Sequence, residues 1–418
     1  MDKLRVSGGQ RLSGRVRMAG AKNAALPALA ACLLTDKPVR LNNLPDVHDV
    51  RTMLRVLELL GADASSFAGG AEVAVTNLAS HEAHYDLVRK MRASVLVLGP
   101  MLARAGRARV SLPGGCAIGE RPINLHIDGL RKMGAEIEVE HGYVEARVAT
   151  GRLHGAEIAF PHKTVTGTEN LMMAAALADG CTVLRNAAQE PEIVDLAELL
   201  NAMGASVQGA GTDLIEIHGR ESLEGAEHHV IPDRIETGTF LVAAALVGDG
   251  VELDGCRSDH MEPIIDQLRG AGVGIDVRGD VLAVTAPDRI HARDLRTEPH
   301  PGFPTDMQAQ YVSLMTQAQG TAVVSETIFE HRFMHIAELL RMGADIRIDG
   351  HTAVVVGPSP LTGAQVMATD LRASACLVLA ALVAEGTTTI NRIYHLDRGY
   401  EAIEVKLGAL GASVERIK

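Results

Sequence analysis

Six points along this 418-residue chain place charged or amide side chains where an alanine-rich apolar segment begins. They are Lys22-Asn23, Arg92, Lys163, Asp233-Arg234, Asp306, and Asp370 with Arg372. A seventh stretch, Leu112 to Pro122, sets one thiol, Cys116, among Pro113, Gly114, Gly115 and Gly119, with Arg121 five residues beyond it. Glycine and proline mark a loop there. A cysteine near a fixed positive charge can be partly thiolate and reach a substrate; a chance thiol in a surface turn is the alternative reading. A helix start carries unpaired N–H groups and a partial positive charge. Six such starts converging on one gap would form an anion site before any side chain is counted. Lys22, Arg92, Arg121, Lys163, Arg332, Arg372 and Arg398 would supply the local positive cluster. At any one position an ordinary cap explains the residue equally well, and Asp306 after Thr305 reads readily as one. Lysine and arginine at helix starts fit caps poorly, because they oppose the dipole and call for an anionic compensator.

Composition narrows the class. The net charge of −12 argues against a nucleic-acid binder, whose affinity comes from neutralising phosphates. An acidic chain that binds an anion must gather its cations locally. Apolar residues make up 47% and aromatics only 3%, so the core is built from Ala, Val, Leu, Ile and Met. The five cysteines form no CxxC or Cys/His spacing that suggests zinc. Cys32, Cys181 and Cys376 lie in or directly after apolar runs and are expected to be buried. His331 and His335 are four apart, but Arg332 lies between them and no zincin glutamate is present, so they read as structural. The longest apolar run, Ala24 to Leu34, is too short to span a bilayer. The start of the chain lacks signal-peptide character, and a cytoplasmic location is expected.

The elements that must position these residues repeat. A one-sided helix ending in Gly-Ala or a close variant, then a strand, recurs at Gly61, Gly134, Gly204, Gly272, Gly343 and Gly411. Successive glycines are 73, 70, 68, 71 and 68 residues apart, and each reads as a helix C-cap. Val50, Met53, Leu54, Leu57 and Leu60 form the stripe of the first such helix. Between these helices lie segments that are apolar nearly all round, such as Asn170 to Gly180, Phe240 to Gly250 and Ala375 to Gly386, which implies burial on every side. No unit of about 70 residues can bury its own faces, so neighbouring units must pack together. Six units fit two domains of three, with a linear solenoid as the alternative; two globules are expected because no polar capping repeat marks either end.

These stretches together resemble the enolpyruvyl transferase family, on its UDP-N-acetylglucosamine 1-carboxyvinyltransferase branch. The resemblance covers essentially the whole chain. It rests on Gly20-Ala21-Lys22-Asn23-Ala24-Ala25-Leu26-Pro27, on Leu112-Pro113-Gly114-Gly115-Cys116 with Arg121-Pro122, and on Pro232 through Thr239. Phe303-Pro304-Thr305-Asp306-Met307-Gln308, Arg332-Phe333-Met334-His335, Ala368 through Ser374 and Asp397-Arg398-Gly399-Tyr400 complete it. The family implies an α/β fold of α+β type, a two-domain inside-out α/β barrel of six βαβαββ-type units, three per domain. Residues 22–230 would form one domain, residues 1–21 with 231–418 the other, and the active site would lie in the cleft between them.

The resemblance also implies a reaction: transfer of the enolpyruvyl group of phosphoenolpyruvate to the 3-hydroxyl of UDP-N-acetylglucosamine, with release of phosphate, in the first committed step of peptidoglycan synthesis. Lys22, Arg121 and Arg398 would hold phosphoenolpyruvate, assisted by Arg372, with Arg332 and Asp370 in the same charged set. Asn23 would reach the sugar or the reacting centre, and Asp306 would meet the attacking hydroxyl as base or positioner. Cys116 matches the family's proton donor, its site of phosphoenolpyruvate adduct formation and its point of attack by fosfomycin-type epoxides. Arg92, Arg121, Pro122, Ile123, Asn124, Leu125, Lys163, Thr164, Val165, Thr166 and the backbone near Ile328 would hold the nucleotide. No metal and no cofactor are expected. Two small-molecule substrates are expected as the partners of a monomer or weak oligomer, without nucleic acid or membrane. The rival within the fold is 5-enolpyruvylshikimate-3-phosphate synthase, and the rival outside it is a non-catalytic repeat scaffold that binds a nucleotide sugar.

Overall fold

The computed structural model describes residues 2–83, 85, 91–112 and 123–418. Cys116, Arg121 and Pro122 lie outside the described residues. The chain divides into two compact units, with boundaries at Ala19/Gly20 and Ile231/Pro232. Each unit has its own hydrophobic core.

The repeat is visible in the helix ends. The one-sided helices His48–Leu60, Asn124–Lys132, Pro191–Ala202, Glu262–Gly270, Ile336–Arg341 and Ile403–Ala409 all stop just before a left-handed glycine. The six glycines have φ of +107°, +92°, +94°, +102°, +98° and +101°, a region that side chains with a Cβ enter at a cost. In each case the glycine N–H reaches back three residues and the next N–H reaches back five. Gly61 thus donates to Glu58 and Ala62 to Leu57, and Gly411 donates to Gly408 and Ala412 to Leu407. This pair of bonds satisfies the carbonyls that a helix end leaves open.

The second helix set is buried all round, as its composition requires. Every residue from Gly167 to Ala176 of the Val165–Ala176 helix is buried, as is nearly all of Arg234–Val247 and Leu371–Val383. These helices begin earlier than the apolar segments suggest, at or beside the polar residues, and they end at Ala176, Val247 and Val383, short of Gly180, Gly250 and Gly386. Two of the six openings are 3-10 turns, Arg92–Val97 before Leu98–Ala105 and Thr305–Met307 before Gln308–Met315. Close packing demands small residues. A Cβ on Gly99 would come within 2.2 Å of Asn170 Oδ1, so the Leu98–Ala105 and Val165–Ala176 helices approach only because that position has no side chain.

Around the buried helices, the described residues form six four-stranded sheets, three in each unit. All six have the same wiring, with one parallel pair followed by two antiparallel pairs. The chain start completes sheets begun far downstream. Lys3–Ser7 lies between Thr387–Asn391 and Ser413–Ile417, and Leu12–Arg17 runs parallel to Gly248–Asp254. Reciprocally, Ala226–His229 runs parallel to Val39–Asn42.

One expectation fails. Cys32 and Cys376 are buried, but Cys181 is exposed. It opens the strand Cys181–Arg185, in which Thr182 and Leu184 point inward, so the alternation turns Cys181 outward. The apolar run before it belongs to the preceding helix and says nothing about strand register. Among the described residues, no helix is long and apolar enough to cross a membrane.

Candidate active site

In the unit that contains the chain end, Asp306 is held by two arginines. It sits in the 3-10 turn Thr305–Met307, where neither it nor its neighbours cap the helix that follows. Instead Arg332 Nη2 donates to Oδ1 at 2.7 Å, and Arg372 donates to Oδ2 through Nη2 at 2.8 Å and Nε at 3.1 Å. The arginines are 5% and 3% exposed and the Asp306 side chain 28%, so two desolvated guanidinium groups hold a part-buried carboxylate, and the three together carry one net positive charge. Burial alone would raise the Asp306 carboxyl; the charges of Arg372 and Arg332 outweigh it and hold the group well below the usual carboxylate range. As held, Asp306 is an anchor and a hydrogen-bond acceptor and a poor base. The simple-cap reading of this residue is therefore set aside.

The surroundings lock this geometry. Arg372 is the second residue of the Leu371–Val383 helix, which Asp370 caps by accepting from the Arg372 and Ala373 N–H groups. Thr305 Oγ1 accepts from Arg332 at 3.0 Å and donates to Glu326 at 2.8 Å. Glu326, 2% exposed, also accepts from Thr297 Oγ1 and from the Ile328 and Phe329 N–H groups, so one carboxylate ties the Ile328 backbone to the Asp306 turn. Gln310 donates to the Asp306 carbonyl and to Thr239, whose hydroxyl pairs with Tyr400. The Tyr400 ring lies 5.6 Å from the Arg372 guanidinium carbon. Two buried donors, Arg332 Nε and Arg372 Nη1, meet no hydrogen-bond partner among the described residues. Arg398 ends the 3-10 turn Ile393–Arg398, just before Tyr400.

The other unit places a second set. Lys22 opens its helix and pairs with buried Asp49 at 3.3 Å, and half-buried Asn23 follows it. Lys163 Nζ donates to the Ala187 carbonyl and to Gln189 Oε1, both at 3.0 Å. Thr164 caps the Val165–Ala176 helix by accepting from the Gly167 N–H. The compensation that cationic helix starts demand is thus partly supplied by the protein itself. Arg92 opens its 3-10 turn, and Ile123 precedes the helix that carries Asn124 and Leu125. An open groove of about 420 Å³ is lined by Asn124, Leu125, Asp128, Phe160 and Pro161 among others. It joins the residue 124–125 segment to the strand end that leads into Lys163–Thr166. Phe160 and Pro161 had no sequence motif to mark them; in a chain so poor in aromatics, Phe160 beside the Lys163 segment was the available signal.

His126 is a further residue without a sequence signal. Asn170 Nδ2 donates to its Nδ1 at 3.0 Å, so Nε2 carries the proton and faces Thr166 Oγ1 at 3.3 Å. Burial, reinforced by the charge of Arg92, pushes this imidazole down to about 3. Its folded value lies below the unfolded one of about 6.5, so its contribution to stability is complete above that pH and is lost as pH falls toward 3. By pH 5 the loss from this group is about 2 kcal/mol. Urea denaturation at pH 7 and pH 5 is expected to show a correspondingly smaller pH dependence in His126→Gln, whose amide can accept and donate at similar positions. An unchanged pH dependence would remove His126 from this role.

The sequence matches the family described as EPSP synthase (3-phosphoshikimate 1-carboxyvinyltransferase) over residues 6–407. It is 55% identical over 418 residues to UDP-N-acetylglucosamine 1-carboxyvinyltransferase of Geobacter metallireducens, covering 100% of both chains. The proteins of that name from Koribacter versatilis and Trichlorobacter lovleyi are 55% and 54% identical, with 100% of this chain covered and 97% and 99% of theirs. The chain belongs to the UDP-N-acetylglucosamine 1-carboxyvinyltransferase family. The fold of this enolpyruvyl transferase family member agrees. The enolpyruvyl transferase NikO from Streptomyces tendae superposes with a TM-score of 0.91 at 28% identity, over 99% of this chain and 98% of the other. EPSP synthase from Acinetobacter baumannii superposes at 0.75 with 17% identity over the full length of both, a likeness of fold alone. The inside-out α/β arrangement, with helices within and sheets without, is therefore that of the enolpyruvyl transferases.

Proposed function

We propose that this chain transfers the enolpyruvyl group of phosphoenolpyruvate to the 3-hydroxyl of UDP-N-acetylglucosamine and releases phosphate. The carrying observation is the 54–55% identity, over the whole length, to relatives that bear the UDP-sugar enzyme's name. The shikimate enzyme is a distant relative by comparison.

In this reading C3 of phosphoenolpyruvate is protonated, the sugar hydroxyl adds to C2 as its own proton leaves, and the resulting phospholactoyl ketal gives up a C3 proton and expels phosphate, which restores the C2–C3 double bond. Lys22, Arg121 and Arg398, with Arg372, hold the carboxylate and phosphate, where guanidinium forks suit both groups. The two buried guanidinium N–H groups without partners support an anion near Asp306. An anionic oxygen that takes up those donors draws guanidinium charge away from Asp306. The carboxylate then becomes basic enough to accept the hydroxyl proton. Cys116 supplies the proton to C3. The nucleotide is held by Arg92, residues 121–125, residues 163–166 and the backbone near Ile328; the groove lined by Asn124, Leu125, Phe160 and Pro161 borders the second and third of these segments.

Phosphate release is the test. It should require phosphoenolpyruvate and UDP-N-acetylglucosamine together; release with shikimate 3-phosphate instead, or with neither acceptor, overturns the proposal. In the same assay Cys116→Asp is expected to keep turnover while losing covalent labelling by epoxide inhibitors. Labelling that persists would place the reactive thiol elsewhere.

A further inference from the structure

The sheet made by Glu157–Ala159, Cys181–Arg185, Ser206–Gln208 and Leu214–His218 carries three metal-ligating side chains on its outward face. Cys181 lies directly across from His218, and Val183 directly across from Glu216, in an antiparallel pair. Side chains two apart share a face. Thr182, Leu184, Ile215 and Ile217 are 0% exposed beneath, so the alternation commits Cys181, Glu216 and His218 to the opposite side. Glu216 Oε1 lies 2.8 Å from His218 Nε2 and 3.8 Å from Cys181 Sγ, and the three ligand atoms lie within 4.8 Å of one another.

We propose that Cys181, Glu216 and His218 form a binding site for a zinc-like divalent cation, three protein ligands with a water in the fourth position. The donor set is one sulfur, one nitrogen and one oxygen. Zinc takes these at about 2.3, 2.0–2.1 and 2.0–2.2 Å, which sets tetrahedral ligand atoms roughly 3.3–3.7 Å apart. The observed separations bracket that range, and exposed side chains reach it by small rotations. A thiolate and a carboxylate with a neutral imidazole balance two positive charges. Calcium and magnesium favour all-oxygen shells, whereas a thiolate and an imidazole favour a zinc-like ion. The strands are fixed by their buried faces, so the ligands are organised by the sheet rather than by a loop. Cys181 and His218 are 37 residues apart in the chain, which is why no spacing motif announced them. The inference does not depend on the enzymatic reading, since none of the three belongs to the substrate-binding set.

The test is titration of the purified full-length chain with Co²⁺ in zinc-free buffer. One equivalent should bind with thiolate-to-cobalt charge-transfer absorption, be displaced by Zn²⁺ and resist excess Mg²⁺. Cys181→Ser should abolish the absorption, and His218→Ala and Glu216→Gln should each weaken binding at least tenfold. Cys116→Ser should leave all of it intact. The three substituted side chains are exposed, so the metal-free melting temperatures should match that of the parent chain; Zn²⁺ should raise the parent's melting temperature and leave that of Cys181→Ser unchanged. Charge-transfer absorption that survives in Cys181→Ser, or none in the parent chain, overturns the proposal.

Discussion

Asp306→Ala is expected to lower kcat by about 10³-fold or more, on the order of 4 kcal/mol of transition-state stabilisation. UDP-sugar affinity should remain within about tenfold, because a group that acts on the hydroxyl in the transition state contributes little to ground-state binding. The substitution also strands Arg332 and Arg372, both nearly buried, with unopposed charge. Removing one partner of a buried ion pair costs about 3–5 kcal/mol, so the melting temperature should fall. Added phosphate or sulfate should recover more of that loss in the variant than in the parent. The depressed Asp306 carboxyl contributes stability that is complete above about pH 4 and lost as pH falls through its folded value, so the two proteins should converge in acid. Steady-state kinetics, UDP-sugar titration and denaturation across pH check these points together. Undiminished turnover in Asp306→Ala would remove the carboxylate from the mechanism.

Arg372→Ala should produce the next largest effect, by a different route. Arg372 gives Asp306 two hydrogen bonds and keeps a buried Nη1 without a partner among the described residues. Its loss leaves Asp306 with Arg332 alone and deprives an incoming carboxylate or phosphate of a fork. Stability should fall by about 3 kcal/mol. kcat/KM for phosphoenolpyruvate should fall about 10²–10³-fold, with KM for that substrate rising and KM for the UDP-sugar little changed. Arg372→Lys separates charge from shape. It should regain much of the stability yet stay at least tenfold below the parent in kcat/KM, because an ammonium cannot bond in a bidentate way. Full activity in Arg372→Ala would confine this arginine to folding.

Much of the architecture was legible because it is set by local constraints. A glycine at φ near +100° is a requirement of the chain at that point alone, so six of them at similar spacing revealed the repeat. An apolar segment without a polar face declares burial whatever it packs against. The polar residues at the starts of those segments were legible for the same reason, since they break a composition that is otherwise uniform.

The states of those residues were not legible. Asp306 reads as a cap in its own neighbourhood, and its partners stand 26 and 66 residues away. Lys163 and Lys22 read from sequence as members of an anion-binding cluster, and the fold gives them Gln189 and Asp49 as partners. Cys181 follows an apolar run, and strand register turns it toward Glu216 and His218. The sequence by itself thus determined the repeating elements and the residue types available for chemistry, because both rest on short-range backbone preference or on composition, and its motifs carried the resemblance to the family. Only the tertiary structure decided which charges neutralise one another and which side chains share a face, because electrostatic pairing and register depend on distances that close only when remote strands and helices pack.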